Sequence, residues 1–179
     1  MTNFDSVYYE PQIFEYELGC ELKRKYSSLN WTPIENHNSI EEMRSRPNSD
    51  FAQMKRYLII GTRKTHKYVP NFKVSDYLVP FTSSGCSAMC LYCYLVCNFN
   101  KCSYLRLFVN REQMLEKLIK FANKQSDPKT FEIGSNSDLV LENTITKNLE
   151  WAIPIFARQA LGNLTFPTKF HQVDSLLKL

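Results

Sequence analysis

The apolar positions of this chain change period near residue 110, and that change divides the elements they predict. Before it the runs are short. YLIIG at 57–61 has strand composition and ends in glycine, and DYLVPF at 76–81 is a second short run that leads straight into a cysteine-rich loop. YLRLFVN at 104–110 alternates large apolar with basic residues and predicts a further strand. After it, Met114, Leu115, Leu118, Phe121 and Ala122 follow at helical spacing behind Asn110 and Gln113, which make a capping-box-like start. The loop KQSDPK closes that helix, and KTFEIG at 129–134 predicts the next strand. Residues 144–161 form another amphipathic stretch that Gly162 would stop and that Pro154 would kink or delay. LTFPTKF at 164–170 predicts a strand, and VDSLLKL the start of one more helix.

Strand, helix, strand, helix, strand is the rhythm of an α/β fold in which parallel strands are covered by helices. Residues 1–56 do not share it. They are aromatic, charged and weakly periodic, with Pro11, Pro33 and Pro47 as punctuation and NHNSIEEMRSRPNSD as a connector, so they predict a helical or irregular amino-terminal extension before a 57–179 domain. The series stops just after its last strand, and the expectation is the amino-terminal portion of something longer. Neither an internal repeat nor a low-complexity segment is evident.

Composition narrows the class only moderately. A length of 179 residues suits one domain, and 44% apolar with 13% aromatic content is enough for a core. The net charge of +4 suits a polyanionic partner without naming one. No apolar run approaches the roughly 20 residues of a membrane helix. The start MTNFDSVYYEPQ has neither a basic n-region nor an apolar h-region, so the expectation is a soluble, unexported, cytoplasmic protein with no membrane partner.

The cysteines change the picture. Of six, four lie in GCSAMCLYCYLVC at 85–97, a clustering that favours metal or redox chemistry over disulfides in such a compartment. Cys86, Cys90 and Cys93 follow C-x3-C-x2-C, a spacing that lets one loop turn three soft thiolates toward a common centre. Zinc would require a fourth ligand, with Cys97 or Cys102 available, although zinc modules usually present two separated pairs. Three cysteines alone ligate three irons of a cubane and leave the fourth open to a substrate. Both metals remain open on spacing alone. Cys20 stands apart and is read as a small buried hydrophobe.

CSAMCLYC, just after a strand that opens a βα series, resembles the signature of the radical S-adenosylmethionine superfamily. The surrounding DYLVPFTSSGC, YCYL, YLRLFVN, FEIGSNSD and FPTKFHQVD are similar, in order and spacing, to the spore photoproduct lyases, light-independent DNA repair enzymes of spore-forming bacteria. The resemblance covers most of residues 57–179 and is weaker in YYEPQIFEYELG.

That resemblance implies an incomplete (βα) partial TIM-type barrel. It implies a 4Fe-4S cluster on Cys86, Cys90 and Cys93, with the amino and carboxylate groups of S-adenosyl-L-methionine on the fourth iron. An electron from the cluster would cleave the sulfonium, and the resulting 5′-deoxyadenosyl radical would take hydrogen from C6 of the thymine dimer. Tyr92 takes the place of the aromatic that packs the adenine, and Tyr94 that of the tyrosine returning the radical to the cofactor. Ser137 matches a position lining the cofactor site, and Lys169 the lysine that pairs with the cofactor carboxylate. One position departs from the pattern, because Ser135 stands where many members carry a hydrogen-donating cysteine, and an O–H bond is much stronger than S–H. Cys97 is the first substitute donor and Cys102 the second. The implied partners are DNA with a thymine dimer, an electron donor such as a ferredoxin or flavodoxin, and a second chain supplying the rest of the barrel. The implied setting is the bacterial spore or germinating cell. The family's closing segment, a carboxy-terminal hairpin that pries the lesion from the duplex, has no counterpart here, so weak or absent repair by this chain alone is expected. The competing assignments are a zinc-stabilised nucleic-acid-binding module on the same cysteines plus Cys97 or Cys102, and an inactive relic.

Overall fold

A computed structural model describes residues 4–98 and 103–179, with the side chains of Cys97 and Asn98 outside that description. In chain order its elements are β1 (Ser6–Tyr9), α1 (Glu17–Lys25), β2 (Asn30–Pro33), α2 (Glu41–Ser45), α3 (Phe51–Met54), β3 (Tyr57–Gly61), β4 (Val69–Pro70), β5 (Tyr77–Val79) and β6 (Ser83–Ser84). They continue with α4 (Tyr94–Asn98), β7 (Leu105–Phe108), α5 (Arg111–Ala122), β8 (Lys129–Ile133), α6 (Leu139–Thr146), α7 (Asn148–Gln159) and β9 (Gly162–Thr165). These form two units, one of residues 1–62 and 84–109 and the other of residues 63–83 and 110–179.

In the first unit the strand order is β2-β1-β3-β7-β6, and β1, β2, β3 and β7 run parallel. All five residues of β3 are buried, as a near-continuous apolar run in the middle of a parallel sheet has to be. Tyr8, Ile40, Met43, Met54, Tyr57, Ile59 and Tyr104 pack together, so the core draws on the 1–56 segment as well as on β3. The amino-terminal extension therefore holds two strands in addition to its helices and turns. Ser6 to Tyr9 pair with Tyr57 to Ile60 on one side and with Asn30 to Pro33 on the other. β2 ends in Pro33 and forms the sheet edge, where a missing amide donor costs no ladder bond.

In the second unit the order is β4-β5-β8-β9, with β5, β8 and β9 parallel and β4 antiparallel to β5. Phe131 of β8 lies 6.1 Å from Phe121 of α5 and 6.1 Å from Phe156 of α7, and this aromatic row joins both helices to the sheet. The buried Arg111 of α5 adds a hydrogen bond to Asn148 (3.1 Å) and sits over the Trp151 ring.

Three expectations shift. The helix expected over 144–161 is two helices, because Lys147 adopts a left-handed conformation (φ 59°) between α6 and α7. The Asn143 carboxamide accepts from the Leu149 amide (2.9 Å) and stabilises the restart. Pro154 is accommodated inside α7. The last strand ends at Thr165, leaving FPTKF as a loop, and VDSLLKL forms a turn. Among the described residues no helix is long and apolar enough to cross a membrane.

Candidate functional site

The cysteine loop of the first unit leaves and rejoins the sheet through a narrow neck. Gly85, directly after β6, has φ 75°, and a Cβ there would sit 2.1 Å from the Tyr104 carbonyl oxygen, so only glycine fits. The Cys86 amide donates to the Ser103 carbonyl (2.9 Å), and Ser103 itself is held at φ 47°. Lys55, at the end of α3 and only 2% exposed, donates from Nζ to the Cys86 carbonyl (2.6 Å) and to the Ser103 carbonyl (3.1 Å). An ammonium this deep needs such charge-assisted acceptors to offset its desolvation. It thus ties both ends of the loop beneath the first cysteine. On β7, Arg106 donates to the Ser84 hydroxyl (2.8 Å) and to Asn38 Oδ1 (2.7 Å), fixing the residue before Gly85.

Beyond the neck the predicted ligands differ in setting. Cys86 is buried and its sulfur accepts from the Ala88 amide (3.4 Å), Cys93 is half-buried, and Cys90 is exposed. Among the described residues no trio of His, Cys, Asp and Glu side chains is gathered closely enough to hold an ion. The donor set nevertheless fits an iron-sulfur cluster in kind, since three soft thiols stand on one loop whose entry and exit are fixed. Tyr92 is 97% exposed, and Tyr94, the first residue of α4, is exposed as well. Cys97 belongs to α4, but its side chain lies outside the described residues, as does Cys102 altogether.

At the carboxyl ends of β1, β2 and β3 the same unit buries a carboxylate. Glu10 accepts from the His37 amide (3.0 Å) and Nδ1 (2.7 Å), from the Thr62 amide (3.0 Å) and from Gln12 (3.0 Å). Burial alone would raise its pKa, but the hydrogen bonds from His37 and Thr62 outweigh that and hold it at about 2.

In the second unit Ser137 and Lys169 lie on two loops that Asp138 ties together. The Asp138 carboxylate caps α6 by accepting from the Leu141 amide (3.1 Å), and it also takes the Lys169 amide (3.0 Å) and the Thr168 hydroxyl (2.9 Å). The Lys169 side chain is exposed. Ser137 Oγ is 2.6 Å from Ser83 Oγ, and the adjoining Thr82 hydroxyl donates to Glu142 (3.0 Å). Glu142 is fully buried, which raises its pKa despite donors from Thr146 and Asn148. Ser135 is half-buried. Sequence reasoning passed over Lys55, Ser83 and Asp138. Only Asp138 carried a signal, as an N-cap residue before an apolar run.

A family model described as spore photoproduct lyase matches residues 3–179. The chain belongs to the spore photoproduct lyase family. It is 36% identical over 176 residues to the spore photoproduct lyase of Bacillus subtilis (strain 168) and 30% identical over 176 residues to that of Geobacillus sp. (strain Y412MC61). Each alignment takes in 96% of this chain and 51% of the relative, so the chain spans about half the length of the curated relatives it matches. Among solved structures, a spore photoproduct lyase complexed with dinucleoside spore photoproduct superposes with a TM-score of 0.89 at 28% identity, over 98% of this chain and 53% of that one. A double mutant of spore photoproduct lyase with bound AdoMet and dinucleoside spore photoproduct gives 0.89 at 28% identity, over 99% and 53%. The parallel strands and helices described above match the amino-terminal half of those structures.

Proposed function

We propose that this chain carries the cofactor-binding part of a DNA repair lyase that reverses the spore photoproduct thymine dimer by radical S-adenosylmethionine chemistry. The observation that carries the proposal is the near-complete alignment with a structure holding both AdoMet and the dinucleoside lesion, together with a three-cysteine loop clamped at its neck. Cys86, Cys90 and Cys93 would hold a 4Fe-4S cluster, which supplies the electron that cleaves the sulfonium of S-adenosyl-L-methionine.

The chain's own residues then bind and orient. Cys86, its backbone fixed at the neck, would bring one thiolate to a set position, and Cys90 and Cys93 would supply the other two. Tyr92 offers a flat, exposed ring for the adenine. Lys169, its backbone held by Asp138, presents a flexible cation to the cofactor carboxylate. Ser137, paired with Ser83, lines the cofactor. Tyr94 supplies an abstractable O–H hydrogen on the way back to the cofactor. Hydrogen return to the product falls to a thiol, Cys97 first and Cys102 second, because the Ser135 hydroxyl is a poor donor.

Damaged DNA is the proposed substrate, and a ferredoxin or flavodoxin the proposed reductant in a bacterial spore or germinating cell. A second chain supplying further barrel strands is a proposed partner. The test is 5′-deoxyadenosine formation from S-adenosyl-L-methionine with dithionite after anaerobic reconstitution with iron and sulfide. The wild-type chain should form it and Cys90→Ala should not. A wild-type chain that assembles a cluster yet forms none overturns the proposal.

A further inference from the structure

The proposed function assigns no role to the connection between β3 and β5, yet it has a definite shape. β4 and β5 pair antiparallel, Val69 opposite Leu78 and Pro70 opposite Tyr77. The turn between them is braced at its base. The Asn71 amide donates to the Asp76 carbonyl (2.7 Å), and its side chain to the Ser75 hydroxyl (2.7 Å), which in turn donates to Glu132 (3.4 Å). The Asp76 amide donates to the Thr130 carbonyl (2.9 Å), and the Thr130 amide to the Asp76 carboxylate (2.7 Å). Past this brace the tip turns apolar side chains to solvent: Phe72 is 95% exposed and Val74 79%, with exposed Lys73 between them.

Exposing one apolar residue is ordinary. A phenylalanine and a valine held outward by a hydrogen-bonded base are a patch that the backbone imposes. The segment leading into the tip carries charge of one sign. Residues 63–75, RKTHKYVPNFKVS, carry Arg63, Lys64, Lys67 and Lys73 and no carboxylate, and the three lysines are exposed. His66 is held below its ordinary pKa by burial and then by the cations Lys117 and Arg63. The neighbouring carboxylates Asp76 and Glu132 are each engaged at the base of the hairpin by one of the bonds above. Lysines for phosphates beside an exposed ring for an unstacked base is the combination that grips a nucleic-acid strand.

We propose that the β4–β5 hairpin and the segment leading into it form a DNA-docking element, with Lys64 and Lys67 before β4 and Lys73 at the tip on backbone phosphates and the Phe72 ring stacked against an unstacked base. This rests on the DNA-repair reading above, and it adds the element of this chain that meets the strand.

The test is fluorescence anisotropy with a labelled oligothymidine strand over a salt series. Phe72→Ala should weaken binding on the order of 5-fold or more while leaving the salt dependence unchanged. Joint replacement of Lys64, Lys67 and Lys73 by alanine should flatten the slope of log affinity against log salt by about 2 for a single strand. The triple arginine variant should retain the wild-type slope. All these side chains are at the surface, so the variants keep the fold. If the wild-type chain binds and both alanine variants bind equally well, the docking assignment falls and the repair reading stands. If the wild-type chain binds no strand at any salt, the docking assignment and a DNA substrate for this chain fall together.

Discussion

Lys55 Nζ lies 2.6 Å from the carbonyl oxygen of Cys86, so a buried ammonium sits directly under the first residue of the cysteine motif. The same group reaches Ser103 at the other end of the loop. Lys55→Met removes the donor to the Cys86 carbonyl and should cost about 1–3 kcal/mol, the usual penalty for a buried polar group stripped of its partner. Denaturant unfolding measures this, and amide exchange at Cys86 should quicken along with it. Unchanged exchange at Cys86 would mean the neck is held by its backbone bond alone.

Asp138 does three jobs with one carboxylate, capping α6 and accepting from Thr168 and Lys169. Asp138→Ala should lower stability by about 1 kcal/mol through the lost cap. It should also free the Lys169 segment, so that trypsin cuts after Lys169 faster than in the wild-type chain at a temperature where both are folded. An equal rate of cutting would show that the tether does not restrain that loop.

The two buried carboxylates respond to pH in opposite senses. Glu10 has its folded pKa lowered to about 2, beneath the ordinary carboxylate value. Its contribution is therefore fully present above the unfolded pKa and is lost as pH falls through that value toward about 2. Glu10→Gln should be less stable at neutral pH, and the gap to wild type should close on acidification. Glu142 has its folded pKa raised by burial, so its contribution is fully present below the unfolded pKa and is lost as pH rises through the folded value. Glu142→Gln should remove that loss and flatten the fall in stability as pH rises above the ordinary carboxylate pKa. Thermal melts of the Glu10 variant on acidification below the ordinary carboxylate pKa, and of the Glu142 variant on raising the pH above it, give the two answers.

The elements legible in the sequence were those whose burial leaves a strong period. β3 is an unbroken apolar run because its surroundings are apolar on both faces, and α5 keeps one buried stripe of Met114, Leu115, Leu118, Ile119 and Ala122. β1 and β2 have four residues each, and β2 is partly exposed and ends in proline, so neither leaves a pattern that a window can resolve. The break at Lys147 was hidden because a lysine, rather than glycine, takes the left-handed turn. Within the site, the cysteine spacing is local and therefore readable. Lys55 is not, since its partners are main-chain carbonyls 31 and 48 positions away that any residue would supply.

The assignment of Cys86, Cys90 and Cys93 as cluster ligands is the claim on which the chemistry rests. Iron, sulfide and zinc content per chain, measured after anaerobic reconstitution of the wild-type chain and of the Cys86→Ala, Cys90→Ala, Cys93→Ala and Cys20→Ala variants, tests it most directly. The account predicts about four irons and four sulfides in the wild type and in Cys20→Ala, with loss of both in each of the other three. A colourless wild-type chain retaining one zinc, or a full cluster in Cys90→Ala, would contradict it.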